Sequence, residues 1–172
     1  MGKALWLIAP LLASATLVAV PSPALADPVE KRTSFPQIED WSSLLIVLDA
    51  KSMYPAGAAY EIEIRADGSV WYEGIADVAA KGPIPLRTTP DAVKALVEKF
   101  RAADFFALRA VYRPELWDAG GSEITLTFSV DGRSKSVTEY LGGLAGMPET
   151  VSQLEQAVHD IADIKPLIDG AH

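Results

Sequence analysis

Cysteine is absent from all 172 residues, asparagine is absent too, and histidine occurs only at His159 and His172. Without a sulfhydryl there is no disulfide bracing, no thiol nucleophile, no thiolate zinc site and no lipid on an N-terminal cysteine. A nucleophilic hydrolase needs a base beside its nucleophile, and two histidines offer little choice. Gly-x-Ser-x-Gly, a phosphate-cradling glycine-rich loop and a dinucleotide glycine fingerprint are all missing as well. Asp131-Gly132 ends like a calcium loop, but positions 127 and 129 are Thr127 and Ser129, so no metal and no cofactor are expected. Basic residues are outnumbered, 15 Lys and Arg against 23 Asp and Glu, for a formal charge of −8. Bringing such a chain to nucleic acid or an anionic lipid face costs electrostatic work, so the partner is expected to be an envelope protein or a small ligand.

What is present begins with a secretory pattern. Lys3 precedes an apolar run over residues 4–20, and Ala24-Leu25-Ala26 before Asp27 supplies small residues for peptidase subsites. A membrane anchor is the alternative, but the run is short for a span and is closed by Pro21 and Pro23. The expectation is a signal peptide over 1–26 cut between Ala26 and Asp27, and a bacterial protein in the periplasm or secreted, with no anchor left. Residues 27–43 are polar, contain Pro28 and Pro36 and lack either apolar period, and so read as a flexible arm. One domain over 44–165 and a tail over 166–172 complete the division.

Within the domain, 44–48 is a continuous apolar run, the pattern of a strand covered on both faces. Tyr60, Ile62 and Ile64 alternate with Glu61, Glu63 and Arg65 ahead of Asp67-Gly68, and Val70-Trp71-Tyr72-Glu73 follows, which is a hairpin pattern. A two-residue turn sets Ile62 opposite Glu73. A three-residue turn with Gly68 left-handed sets Ile62 opposite Tyr72 and Ile64 opposite Val70, which keeps the apolar face intact and is preferred. Residues 81–85 read as a Gly/Pro connection. Thr89-Pro90-Asp91 opens a helix with a cap, a first-turn proline and a dipole-matched acid, with Val93, Leu96, Val97 and Phe100 on one stripe. Phe105 and Phe106 plug the core. A second hairpin turns at Asp131-Gly132, its returning strand polar enough to be an edge, and a last helix opens at Pro148-Glu149 with Val151, Leu154, Val158 and Ile161 inward. The expected fold is α+β: a largely antiparallel sheet of about five strands with two helices on one face, in the order strand, hairpin, helix, hairpin, helix.

Tyr60-x-Ile62-x-Ile64, Val70-x-Tyr72-Glu73-Gly74, Ala103-Asp104-Phe105-Phe106-x-Leu108, Tyr112, Asp118 and Asp131-Gly132 with Val137 occur in the order and spacing of a bacterial family. On these residues the chain resembles the domain of unknown function 6438 family, found mostly in exported proteins, over Leu44 to about Ala162. Typical members place Cys-Phe-Gly-x-Cys-Pro before the tyrosine matching Tyr60. This chain has Met53-Tyr54-Pro55-Ala56-Gly57-Ala58 there, so no role of a cysteine pair transfers. The resemblance implies the fold and no known activity.

Two groups of residues stand as candidate binding sites. The preferred hairpin register sets Glu61 opposite Glu73 beside Trp71 and Glu63. Paired carboxylates can serve as acid and base or hold a cation or amine, although a solvated face relieved by Arg65 and a nearby lysine is the expected reading. The segment with Tyr112, Arg113, Trp117 and Asp118 gathers aromatic and charged groups beside Gly120-Gly121, with cover for the core edge as the preferred alternative. His159, four residues after Glu155, reads as half of an exposed helical pair. The expectation is a non-catalytic periplasmic binding or protein-interaction module. Its rivals are an envelope-glycan hydrolase using two of Glu61, Glu63, Glu73 and Asp118, and a scaffold or inhibitor of another envelope protein.

Overall fold

The computed structural model describes residues 34–52, 57–115 and 121–169. Among them lie seven strands and three α-helices: β1 (Leu45–Ser52), β2 (Ala59–Arg65), β3 (Ser69–Ala76), β4 (Gly82–Arg87), α1 (Pro90–Ala102), β5 (Val111–Tyr112), β6 (Ser122–Val130), β7 (Arg133–Tyr140), α2 (Glu149–Ala162) and α3 (Lys165–Ile168). The strands form one sheet in the order β4-β3-β2-β1-β6-β7-β5, antiparallel except where β5 runs parallel to β7. No helix among the described residues is long and apolar enough to cross a membrane.

The first hairpin has the three-residue turn. Ile62 pairs with Tyr72 and Ile64 with Val70, while Gly68 sits at φ +80, where a Cβ would run into the Thr88 carbonyl. The second hairpin closes in two residues, Asp131 at φ +50 and Gly132 at φ +70, the left-handed pair that matches strand twist. Thr89 caps α1 by accepting the Ala92 N–H at 3.1 Å, with Pro90 in the first turn.

Alternation in each strand sends one set of side chains to a common inner face. Ile46, Leu48, Ile62, Ile64, Tyr72, Leu126, Phe128 and Val137 are buried there, together with Val93, Val97 and Phe100 of α1 and Val151, Leu154 and Val158 of α2. Phe100 lies between Phe105 and Phe128, with ring centroids 4.9 and 5.2 Å away. The opposite, outer face carries no layer of described residues. For that reason β1 is not covered on both sides: Ile46 and Leu48 are buried, whereas Leu45 and Val47 are only half-buried among neighbouring side chains of β2 and β6.

Two strands and one helix exceed the sequence expectation. Gly82, Pro83 and Pro85 give β4 the pattern of a connection, yet both prolines fit an edge strand. They pair with Glu73 and Trp71, positions at which a proline's missing N–H points to the free edge. The edge thereby loses two donors that would otherwise invite another strand. β5 is two residues long, too short for a periodic signal, and flanks only the end of β7. α3 falls in the segment read as a tail, where Leu167 and Ile168 pack against the core. Residues 34–43, within the stretch read as an arm, likewise place Phe35, Ile38 and Trp41 on the core. Asp131 ties that segment down by accepting the Glu39 and Asp40 N–H groups at 2.8 and 3.0 Å and the Ser43 hydroxyl at 3.1 Å, bonds that hold its carboxyl below its ordinary pKa.

Candidate functional site

The predicted carboxylate pair is on the outer face. Glu61 pairs with Glu73, and Asp49 stands on the other side of Glu61, so three acids line one row across β1, β2 and β3. Lys51 neutralises Asp49 at 2.5 Å and Arg65 binds Glu63 at 3.0 Å. Burial, then the Asp49 and Glu63 carboxylates, raise Glu61 above its ordinary pKa. Trp71, 45 % exposed, faces Glu63 on one side and Pro85 on the other. Glu63, Arg65, Trp71, Pro85 and Arg87 line a shallow concavity of about 650 Å³ on this strip of sheet, and of the carboxylates a hydrolase would draw on, Glu63 borders it while Glu61 and Glu73 stand outside its lining.

The second candidate group is divided. Tyr112 is a core residue, 3 % exposed, whose hydroxyl accepts the Arg109 N–H at 3.3 Å beneath the Arg109 guanidinium. Arg113 pairs with Glu123 on the outer face. Trp117 and Asp118 lie outside the described residues, as do Ala24, Ala26 and Asp27 of the cleavage motif.

A different set converges on the inner face. The end row of the sheet runs Gly74, Tyr60, Ala50, Ile124, Glu139 across β3, β2, β1, β6 and β7. Gly74 and Ala50 are the small members of this row, and a Cβ at Gly74 would run into the Ala80 carbonyl. The Tyr60 hydroxyl and His159 Nε2 lie 2.9 Å apart in a hydrogen bond, and the Tyr60 ring stacks on Tyr72 at 6.1 Å. Tyr72 in turn donates to the Ala80 and Leu167 carbonyls at 3.3 and 3.4 Å. Glu155, one turn before His159, is only 8 % exposed, and none of the described residues donates to its carboxyl. Glu139 accepts the Gly142 N–H at 2.7 Å.

These surroundings set the protonation states. Burial, with the Glu139 carboxylate adding to it, pushes Glu155 up to about 8, so it is largely the neutral acid at pH 7. Burial, then Tyr72 and Glu155, pushes Tyr60 up to about 12. Burial outweighs Asp160 and holds His159 below its ordinary value, leaving a neutral imidazole. The tautomer with its proton on Nδ1 lets Nε2 accept from the phenol. Glu155 and His159 are therefore not the exposed helical pair expected from their spacing. The buried side of α2 takes in Val151, Leu154, Glu155, Val158 and Ala162, a stripe wide enough to carry the acid inside.

The cluster opens on a pocket of about 420 Å³ between the end of β2, the last turns of α2 and α3. Tyr60 and His159 form its floor, Ile168 its accessible apolar side with the fully buried Ile164 behind, and Asp160, Asp163, Lys165 and Asp169 its rim. Sequence reasoning missed it because its members come from three separated elements. The available signal was a tyrosine at a core-facing strand position, whose hydroxyl needs a partner when buried.

An α+β sheet with helices on one side and a polar pocket at the end of a packed core defines the class of protein. The chain belongs to the family described as Domain of unknown function (DUF6438), whose sequence model matches residues 46–162. The match runs from β1 to the end of α2 and so contains Tyr60, Glu139, Glu155 and His159, whereas α3, which closes the pocket, follows it. No curated protein matches the chain.

Proposed function

We propose that this is an exported, non-catalytic binding module that takes a small polar ligand into the pocket floored by Tyr60 and His159. The observation that carries the reading is the Tyr60–His159 hydrogen bond of 2.9 Å at the base of a concave site, beside a buried carboxyl. Convergent polar groups of perturbed pKa in an apolar-walled pocket are the usual mark of a ligand site. The outer-face concavity of about 650 Å³ around Glu63, Arg65, Trp71 and Arg87 has charged groups that all reach solvent, whereas the smaller pocket is floored by the buried Tyr60 and the half-buried His159, which favours the latter as the primary site. Export rests on Lys3, the apolar run and Ala24-x-Ala26.

Two measurements test the proposal. N-terminal sequencing of the protein recovered from the periplasm should begin at Asp27; recovery only in the membrane fraction with Lys3 retained would replace the signal peptide by an anchor. A fragment screen followed by NMR should find molecules that shift the His159 imidazole and Tyr60 ring signals together. Hits confined to Trp71 would move the site to the outer face.

A further inference from the structure

The outer-face concavity is built by the sheet register as two rows. Glu63, Trp71 and Pro85 are partners across β2, β3 and β4, and in the next row toward the hairpin turn Ser69 pairs with Arg87 and lies across the turn from Arg65. Its surfaces are open to a ligand: Trp71 keeps nearly half of its area in solvent, and Arg65, Pro85 and Arg87 are exposed as well. An indole beside a proline ring, on a face that no layer of described residues covers, is apolar surface still to be desolvated. Two of the three charged residues lining the concavity are arginines, although the chain as a whole carries −8. Glu63 accepts from Arg65 through Oε2 at 3.0 Å, and its Oε1 receives no donor among the described residues. Arg87 forms no salt bridge among them. The acid of the turn, Asp67, accepts from the Ser69 hydroxyl and N–H at 2.6 and 2.9 Å, bonds that outweigh the pull of Arg87 on its carboxyl.

We propose that this concavity is a second binding site, separate from the pocket floored by Tyr60 and His159, and that it takes a carboxylate-bearing sugar of the uronic acid class. The C–H face of the pyranose ring lies on the Trp71 indole and the Pro85 ring. The sugar carboxylate meets the Arg87 guanidinium, whose planar fork matches its two oxygens. Ring hydroxyls donate to Glu63 Oε1 and to the Ser69 hydroxyl, which still has acceptor capacity after donating to Asp67. The acceptors Glu63 and Ser69 favour a ligand rich in hydroxyl donors over a bare aromatic acid. The arginine pair favours an acidic sugar over a neutral one.

The test titrates the purified protein with glucuronate, glucose, benzoate and acetate and reads the Trp71 indole N–H signal by NMR, assigned through Trp71→Phe. Glucuronate should shift it saturably. Glucose lacks the charge, benzoate the hydroxyls and acetate the ring, so each should bind at least several-fold more weakly. Arg87→Gln alters an exposed side chain that forms no salt bridge, so the fold should hold while glucuronate binding weakens several-fold and the response to glucose stays unchanged. Arg133→Gln makes the same charge change on β7, beyond β1 and β6 in the sheet, and should leave glucuronate binding as it was. Glucose binding as tightly as glucuronate would overturn the recognition of a carboxylate, and benzoate or acetate binding as tightly would overturn the sugar class. Equal losses in the two arginine variants would reduce the effect to net charge and overturn the role of Arg87. An absence of Trp71 shifts with all four probes would overturn the site itself, while the Tyr60 and His159 signals in the same titration report on the other pocket independently.

Discussion

On the outer face Asp49, Glu61 and Glu73 stand side by side across three strands, while on the inner face Glu155 sits on the buried side of α2 near Tyr60 and Glu139. The outer acids share their row with solvent, Lys51 and the nearby Arg65, and mutual repulsion is absorbed there. The inner acid is desolvated by burial and faces the Glu139 carboxylate, so it keeps its proton up to about pH 8. A carboxylate row that looks like chemistry in the sequence can therefore be the tolerant part of a fold. The carboxyl pushed up to about 8 is instead a single glutamate inside a helical stripe.

The largest expected contrast between the faces is in packing. Phe100→Ala empties a fully buried position between two other phenylalanines and should cost ~3–5 kcal/mol in chemical denaturation. Trp71→Ala on the outer face should change stability by about 0.5 kcal/mol or less. Equal costs would mean that the outer face is covered.

The next contrast is in pH dependence. Between the ordinary glutamate pKa and about 8, the unfolded chain has ionised Glu155 and the folded chain has not, so the folded state holds the extra proton. Stability from this group is full at low pH and falls as pH rises towards 8, by on the order of a few kcal/mol. His159 works in the other direction. Its depressed pKa means that stability falls as pH drops below the ordinary histidine value. Glu155→Gln, which imitates the protonated acid, should flatten the alkaline limb and make the protein more stable than wild type at pH 8. Superimposable wild-type and variant pH profiles would place Glu155 in contact with water.

Smaller effects follow on each face. Tyr60→Phe removes one hydrogen bond and strands the His159 nitrogen, at a cost of about 1 kcal/mol. Glu73→Gln, which relieves a like-charge pair across the hairpin, should leave stability unchanged or raise it by a few tenths of a kcal/mol, mainly at low salt. A loss of more than about 1 kcal/mol in the Glu73 variant, measured against those typical sizes, would show that the outer carboxylates are structurally engaged.

The same physics decides what the sequence made legible. The Ile62–Tyr72 and Ile64–Val70 register follows from alternation and one glycine, both local, and the α1 cap follows from three consecutive residues. Pro83 and Pro85 conceal β4, since a proline reads as a breaker until the outward direction of its missing donor is known. The polar pocket was least legible. Tyr60 on β2 is about a hundred residues from Glu155 and His159 on α2, and the burial that perturbs all three comes from packing the helix against the sheet, which no local pattern shows.

The central claim, that the inner face holds a protonated carboxyl at neutral pH, is tested most directly by titrating the Glu155 side-chain carboxyl carbon by NMR, assigned through Glu155→Gln. A midpoint near 8, with the Tyr60 ring signals moving in the same step, is the predicted result. A midpoint in the ordinary carboxylate range would contradict the account.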